Sequence, residues 1–196
     1  MDALLEVEIA VARVPLAIDE LTVGERVQLD RLSTACRRRE WLTGRRALRF
    51  LLCRLGLPPD TSAVAFPNAC LSLSHSAGVA VAAGVARRDV VGVGVDLETR
   101  PSFRPSAARF FLDDRERADA GSDPRDLVRL WTVKEALFKA NVANAGTRLL
   151  DYSIGDVSAE HGRATGPPGC APLRYLTTST ARGIVTIAVS QRGEPC

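Results

Sequence analysis

Lysine occurs only twice in the chain, at Lys134 and Lys139, and arginine supplies every other long basic side chain. Both lysines fall within Trp131-Thr-Val-Lys-Glu-Ala-Leu-Phe-Lys139. Arginine is a planar fork. Lysine is a compact charge on a flexible stem, suited to phosphate oxygens or to proton transfer. Asp123-Pro124 reads as a helix N-cap followed by proline at the first helical position, with Asp126 in the first turn. Leu127, Leu130, Trp131 and Phe138 then recur at helical spacing as an apolar stripe. Lys134 stands inside that stripe, where a cation needs a partner or a ligand. The alternative is a stem that snorkels to the surface. Glu135 and Lys139 lie one turn apart on the flank. For that pair the ordinary outcome is a surface ion pair of about 0.2–0.5 kcal/mol.

A second group of acids closes an apolar strand, Val90-Val-Gly-Val-Gly-Val-Asp96-Leu-Glu98. Asp96 and Glu98 are two apart, so on an extended strand they share one side. Two carboxylates on one side of a strand end suit Mg²⁺, which completes its octahedron with water and substrate phosphate. A strand running into a polar turn is the plainer reading. Gly92 and Gly94 do not make a dinucleotide fingerprint, because the full G-x-G-x-x-G is absent. Upstream, Leu71-Ser-Leu-Ser-His75-Ser-Ala-Gly78 alternates like a half-buried strand and ends in small polar residues. At such a junction His75, its serines and backbone N–H groups can converge on an anion. His161 is read as surface.

The rest of the chain must position these groups. The apolar fraction of 46% is ample for a core, and a net charge of +3 demands neither nucleic acid nor membrane as partner. No apolar run has the length of a membrane helix. Met1 to Val14 reads as a strand and not as a signal peptide. The five cysteines are odd in number and lack C-x-x-C, which argues against a disulfide framework or zinc site and for a reducing cytoplasm.

In order, Leu4 to Val14 predicts a strand. Ile18 to Leu32 predicts a helix with Glu25, Arg26, Asp30 and Arg31 on its wet side. Glu40 to Leu55 predicts a strong amphipathic helix carrying Arg45, Arg46 and Arg49, either as a solvated face or as phosphate contacts. Two strands, Leu71 onward and Val79 to Val85, precede Val90 to Glu98. Arg100 to Pro105 is a loop, and Ala107 to Ala120 a helix broken near Asp113. The lysine-bearing helix follows, ending around Asn144 to Gly146. Tyr152 to Val157, Leu173 to Thr178 and Ile184 to Val189 read as a closing antiparallel set, with a Gly/Pro-rich hairpin loop from Gly162 to Pro172 where no chemistry is expected. The expectation is an α+β fold of two halves of similar size, residues 1–95 and 96–196, packed as one compact unit.

Taken together, Ser72-Leu-Ser-His75-Ser, Gly94-Val-Asp96-Leu-Glu98 and Trp131-x-x-Lys134-Glu135-Ala-x-x-Lys139 resemble the 4′-phosphopantetheinyl transferases of the surfactin-synthetase-activating type. Trp41-Leu-Thr-Gly44-Arg45-Arg-Ala-Leu-Arg49 and Arg109-Phe-Phe111 add to the likeness, which spans about Arg37 to Ser153. The family's Gly-Lys-Pro segment before the histidine motif is replaced here by Ala63-Val-Ala-Phe-Pro67-Asn-Ala. The resemblance implies two pseudo-symmetric halves with the active site in the cleft between them, a cytoplasmic monomer, and coenzyme A and an acyl or peptidyl carrier protein as substrates. It implies Mg²⁺, with Mn²⁺ as a substitute, held by Asp96, Glu98 and Glu135. Glu135 would be the base toward the carrier serine, directly or through water. Lys139 would assist departure of 3′,5′-ADP, and Lys134 would contact the pyrophosphate. Ser74 and His75 would contact phosphate, and Arg45 with Arg39 or its neighbours would pair with the 3′-phosphate.

Other classes share these residues. An Mg²⁺-dependent phosphohydrolase of coenzyme A or nucleotides would use the same acids with water as acceptor. An Arg-rich nucleic-acid binder would use Arg37 to Arg39, Arg45, Arg46 and Arg49. The mild net charge and few aromatics weigh against it. A homologue retained only for binding would not need all three acids, and all three are present.

Overall fold

A computed structural model of the chain describes residues 3–99 and 104–192. The loop expected over Arg100 to Pro105 lies, through residue 103, outside the described residues, as does Cys196. The fold is mixed α+β, built on two antiparallel sheets. The first sheet holds β1 (Glu8–Ala12), β3 (Val79–Gly84) and β2 (Leu71–Ser76), in that order. The second holds β4 (Val90–Glu98), β8 (Gly183–Gln191), β7 (Leu173–Thr180), β6 (His161–Thr165) and β5 (Ser153–Ile154). Each sheet carries one long helix. The helix α2 (Ala35–Arg54) packs Ala47, Leu48, Leu51 and Leu52 on the first sheet. The helix α4 (Pro124–Ala140) packs Leu130, Val133, Ala136 and Leu137 on the second.

The division between halves differs from the expected 95/96. β4 pairs with β8 from Val90 to Glu98, so the second sheet takes up the chain at Val90. The sheets are also unequal, with three strands and five.

Several local signals fold as their chemistry dictates. Asp123 caps α4 by accepting from the Arg125 N–H, ahead of Pro124. The break near Asp113 is a capping box. Its carboxylate accepts from the Glu116 N–H while the Glu116 side chain accepts from the Asp113 N–H, starting α3 (Asp114–Ala120) after a 3-10 turn, Pro105–Phe110. Thr22 and Glu25 do the same for α1 (Val23–Asp30).

Other expectations change. The first predicted strand is a 3-10 turn, Ala3–Glu6, followed by the shorter β1. Tyr152 to Val157 contributes only the two-residue β5, and the expected hairpin loop supplies β6. Glu25 is not on a wet face. It is 0% exposed, accepts from the Thr61 N–H and hydroxyl, and pairs with Arg49 at 2.5 Å. Burial alone would push its carboxyl up, but Arg49 first, then Thr61 and Thr22, outweigh that and hold it at about 2.

Candidate functional site

The chemistry-bearing residues converge where α4 lies across β4. Gly92 and Gly94 make this approach close. A Cβ on Gly92 would stand 1.9 Å from the Ala140 carbonyl oxygen, and one on Gly94 1.9 Å from that of Ala136. Only residues without side chains allow the helix backbone to rest on the strand backbone. By strand alternation Asp96 and Glu98 continue the face that the two glycines begin. Glu135 and Lys139, one turn apart on α4, face the same place.

Asp96 is the centre. It is 5% exposed. Its Oδ1 accepts from Lys139 Nζ at 2.6 Å and from the Ser74 hydroxyl at 2.8 Å. Its Oδ2 is buried with no hydrogen-bond partner among the described residues. Lys139 Nζ lies 4.0 Å from Glu135 Oε2 and donates to the Val95 carbonyl at 3.3 Å. Burial raises the Glu135 carboxyl above the ordinary glutamate range. Lys139 pulls it back, and Asp96 and Glu98 push it up again. Burial also raises Glu98, with Ser76 and Lys139 opposing and Asp96 adding to the rise. Carboxyls so crowded favour any added cation.

Among the described residues, no three His, Cys, Asp or Glu side chains stand close enough to form a metal cluster as they lie. The ammonium of Lys139, between Asp96 and Glu135, takes the place of the neutralising charge. The donor set nevertheless fits a hard divalent cation: hard oxygens, an orphaned buried Oδ2, and two neighbouring carboxyls held above their usual range.

Three of the residues expected to bind substrate are engaged elsewhere. Lys134 is 0% exposed, and its Nζ donates to Glu116 at 2.7 and 2.8 Å and to the Tyr152 carbonyl. Three protons meet three acceptors, so the expected pyrophosphate contact is corrected to a buried structural pair. Burial lowers its ammonium and Glu116 counters that. Arg45 donates to the Thr61 carbonyl and to Gln28 Oε1, each at 3.0 Å, and stacks over Trp41. Its guanidinium therefore ties α2 to α1 and the following loop, in place of the expected 3′-phosphate contact. Ser74 is buried and its hydroxyl is committed to Asp96, in place of a phosphate. His75 and Arg39 are exposed, His75 at the end of β2 and Arg39 in α2.

The sequence reading gives no role to Glu116, and none to Gly92, Gly94, Ser72 and Ser76 in shaping the carboxylate cluster. The first had a signal, the Asp113-x-x-Glu116 box. The glycines and serines had another, their period-two spacing within strands.

A cavity of about 1490 Å³ lies elsewhere, at the Val90 end of the second sheet among Arg87, Arg115, Arg163 and Cys170. It includes none of the carboxylate cluster. The cluster instead falls within a matched segment, residues 92–168, less than half of the chain. That segment matches the 4′-phosphopantetheinyl transferase superfamily. The match takes in Asp96, Glu98, Lys134, Glu135 and Lys139, and leaves Arg39, Arg45, Ser74 and His75 outside it. It supports phosphopantetheine transfer in general, with coenzyme A and a carrier protein as the superfamily's substrates. No curated protein matches the chain. Among the described residues no helix is long and apolar enough to cross a membrane.

Proposed function

We propose that the chain transfers 4′-phosphopantetheine from coenzyme A to a serine of an acyl or peptidyl carrier protein, releasing 3′,5′-ADP, with Asp96, Glu98 and Glu135 holding Mg²⁺ or Mn²⁺. The observation that carries this reading is Asp96. Its Oδ1 is held by Lys139 and Ser74 and its Oδ2 lies buried and unpartnered, inside the segment that matches the superfamily. When bound, the metal would supply the charge neutralisation that phosphoryl transfer requires.

The chain's own residues divide the remaining work. Glu135 accepts the proton of the carrier serine, directly or through water. The serine oxygen forms its bond to the β-phosphorus of coenzyme A as the bond to the leaving 3′,5′-ADP breaks. Lys139, on a flexible stem and half-buried, places its charge or a proton on the departing phosphate. His75 and Arg39, both exposed, are the remaining phosphate contacts of this reading.

Intact-mass spectrometry of an apo carrier protein, incubated with the protein, coenzyme A and Mg²⁺ beside an EDTA control, tests the proposal. A gain of one phosphopantetheine that EDTA abolishes is the expected result. Release of 3′,5′-ADP without any gain on the carrier would replace transfer with hydrolysis.

A further inference from the structure

Among the described residues β4 is the outer strand of the second sheet, and no strand of that sheet pairs with its outward N–H groups. They are met instead by hydroxyls from β2, an edge of the first sheet. Ser72 Oγ accepts from the Val95 N–H at 3.0 Å, Ser74 Oγ from Leu97 at 3.3 Å, and Ser76 Oγ from Thr99 at 3.2 Å. The rungs advance two residues at a time on both strands. Leu71 and Leu73, which alternate with the first two serines, turn the other way and pack with α2. The two sheets are thus joined here by side-chain hydroxyls.

Each hydroxyl also carries one proton to give. Ser74 gives its proton to Asp96 Oδ1 at 2.8 Å and Ser76 to Glu98 Oε2 at 3.1 Å. Thr99 Oγ1, 3.1 Å from Ser76 Oγ, then acts as donor, since the serine proton is already committed. Ser72 closes its rung on Val95 and touches neither acid. Two rungs of the ladder therefore end on the two acids, and one does not.

We propose that Ser74 and Ser76 are positioning residues for a divalent cation: they hold Asp96 and Glu98 so that their remaining oxygens face the metal. The inference rests on reading those two acids as metal ligands. With Oδ1 fixed by Ser74 and Lys139, rotation of the Asp96 carboxylate is arrested and Oδ2 is left as the free donor. Partners that hydrogen-bond to ligating carboxylates commonly contribute about 10- to 100-fold in metal affinity.

The test is Mn²⁺ binding to the full chain without substrate, followed by the electron paramagnetic resonance signal of free Mn²⁺, with a thermal melt on each variant. Ser74→Ala should weaken Mn²⁺ binding about 10- to 100-fold and Ser76→Ala should weaken it as well, on the scale of outer-shell carboxylate partners. Ser74→Thr, which keeps the hydroxyl, should retain most of the affinity. Ser72→Ala should lower the melting temperature while Mn²⁺ affinity stays within a factor of about two, because its rung touches neither ligand. Unchanged affinity in Ser74→Ala and Ser76→Ala would overturn the inference, as would an equal loss in Ser72→Ala, which would reduce the ladder to a structural seam. Asp96→Ala and Glu98→Ala separate the two levels of the argument. If they abolish binding while the serine variants do not, the positioning role alone is wrong. If they bind Mn²⁺ as the parent does, the metal-ligand reading is wrong and the inference goes with it.

Discussion

Replacing Lys134 by methionine distinguishes a buried structural cation from a substrate contact. The Lys134→Met side chain fills similar volume but leaves Glu116, 0% exposed, without its ammonium. Removing one partner of a fully buried pair costs about 3–5 kcal/mol. Glu116 would retain the N–H bonds from Ile154 at 2.7 Å and Asp113 at 3.0 Å, which places the expected loss near the lower end. The Tyr152 carbonyl would also lose a donor. For a chain of this size, about 3 kcal/mol corresponds to a fall of about 6–12 °C in Tm. Differential scanning calorimetry reads that fall. The double variant Lys134→Met/Glu116→Gln removes the stranded charge and should recover part of it. Coenzyme A affinity, measured by titration calorimetry below the new Tm, should not change. A single variant that melts with the parent and binds coenzyme A tenfold more weakly would refute the reasoning and restore Lys134 to the phosphates.

Three further outcomes follow from the same geometry. Gly94→Ala forces a methyl against the Ala136 carbonyl and to 2.7 Å from the Ala140 nitrogen. Moving α4 away by about an ångström should cost on the order of 100-fold in transfer rate, and the overpacking about 1–3 kcal/mol of stability, read from holo-carrier formation and a urea titration. Lys139→Ala should lower turnover more than it weakens coenzyme A binding, and a change confined to binding would move Lys139 out of the chemistry. Glu25, held at about 2 in the folded chain, stabilises the fold above its unfolded value of about 4.5. That contribution, at most about 3 kcal/mol, should drain away as pH falls from 4.5 toward 2, and Glu25→Gln should flatten the pH dependence of Tm over that window.

Where the controlling interaction is local, the sequence was a sufficient guide. Asp123-Pro124 starts α4 at the expected place because capping needs only the next two or three residues. The face shared by Asp96 and Glu98 follows from strand alternation alone. Reading failed where a partner lies far along the chain. The helical stripe places Lys134 as a cation on a packing face, but its partner Glu116 is eighteen residues away on another helix. Glu25 reads as solvent-facing from its own segment because Thr61 and Arg49, which hold it, come from the next loop and helix. Arg45 reads as free to take a phosphate from its own helix, whereas its guanidinium donates to Gln28 and to the Thr61 carbonyl. A helix with three arginines on it looks solvated or anion-binding from its own spacing. Here each of Arg45, Arg46 and Arg49 has partners in the segments packed against α2.

The site depends on what β4 lacks on one face and cannot satisfy on one edge. Its glycines bring α4 into backbone contact, so Glu135 and Lys139 arrive over Asp96. Its outward N–H groups recruit the β2 serines, and the remaining protons of Ser74 and Ser76 reach Asp96 and Glu98. The match to the transferase superfamily begins at Gly92 and so contains the first device but not the second, because Ser72, Ser74 and Ser76 precede it. Residues 92–168 therefore carry the acids and the lysine, while the serine hydroxyls that donate to the acids come from β2. Separating the two sheets would break the three rungs and release both carboxylates from their serines, and so the seam ties the cohesion of the two sheets to the geometry of the acids.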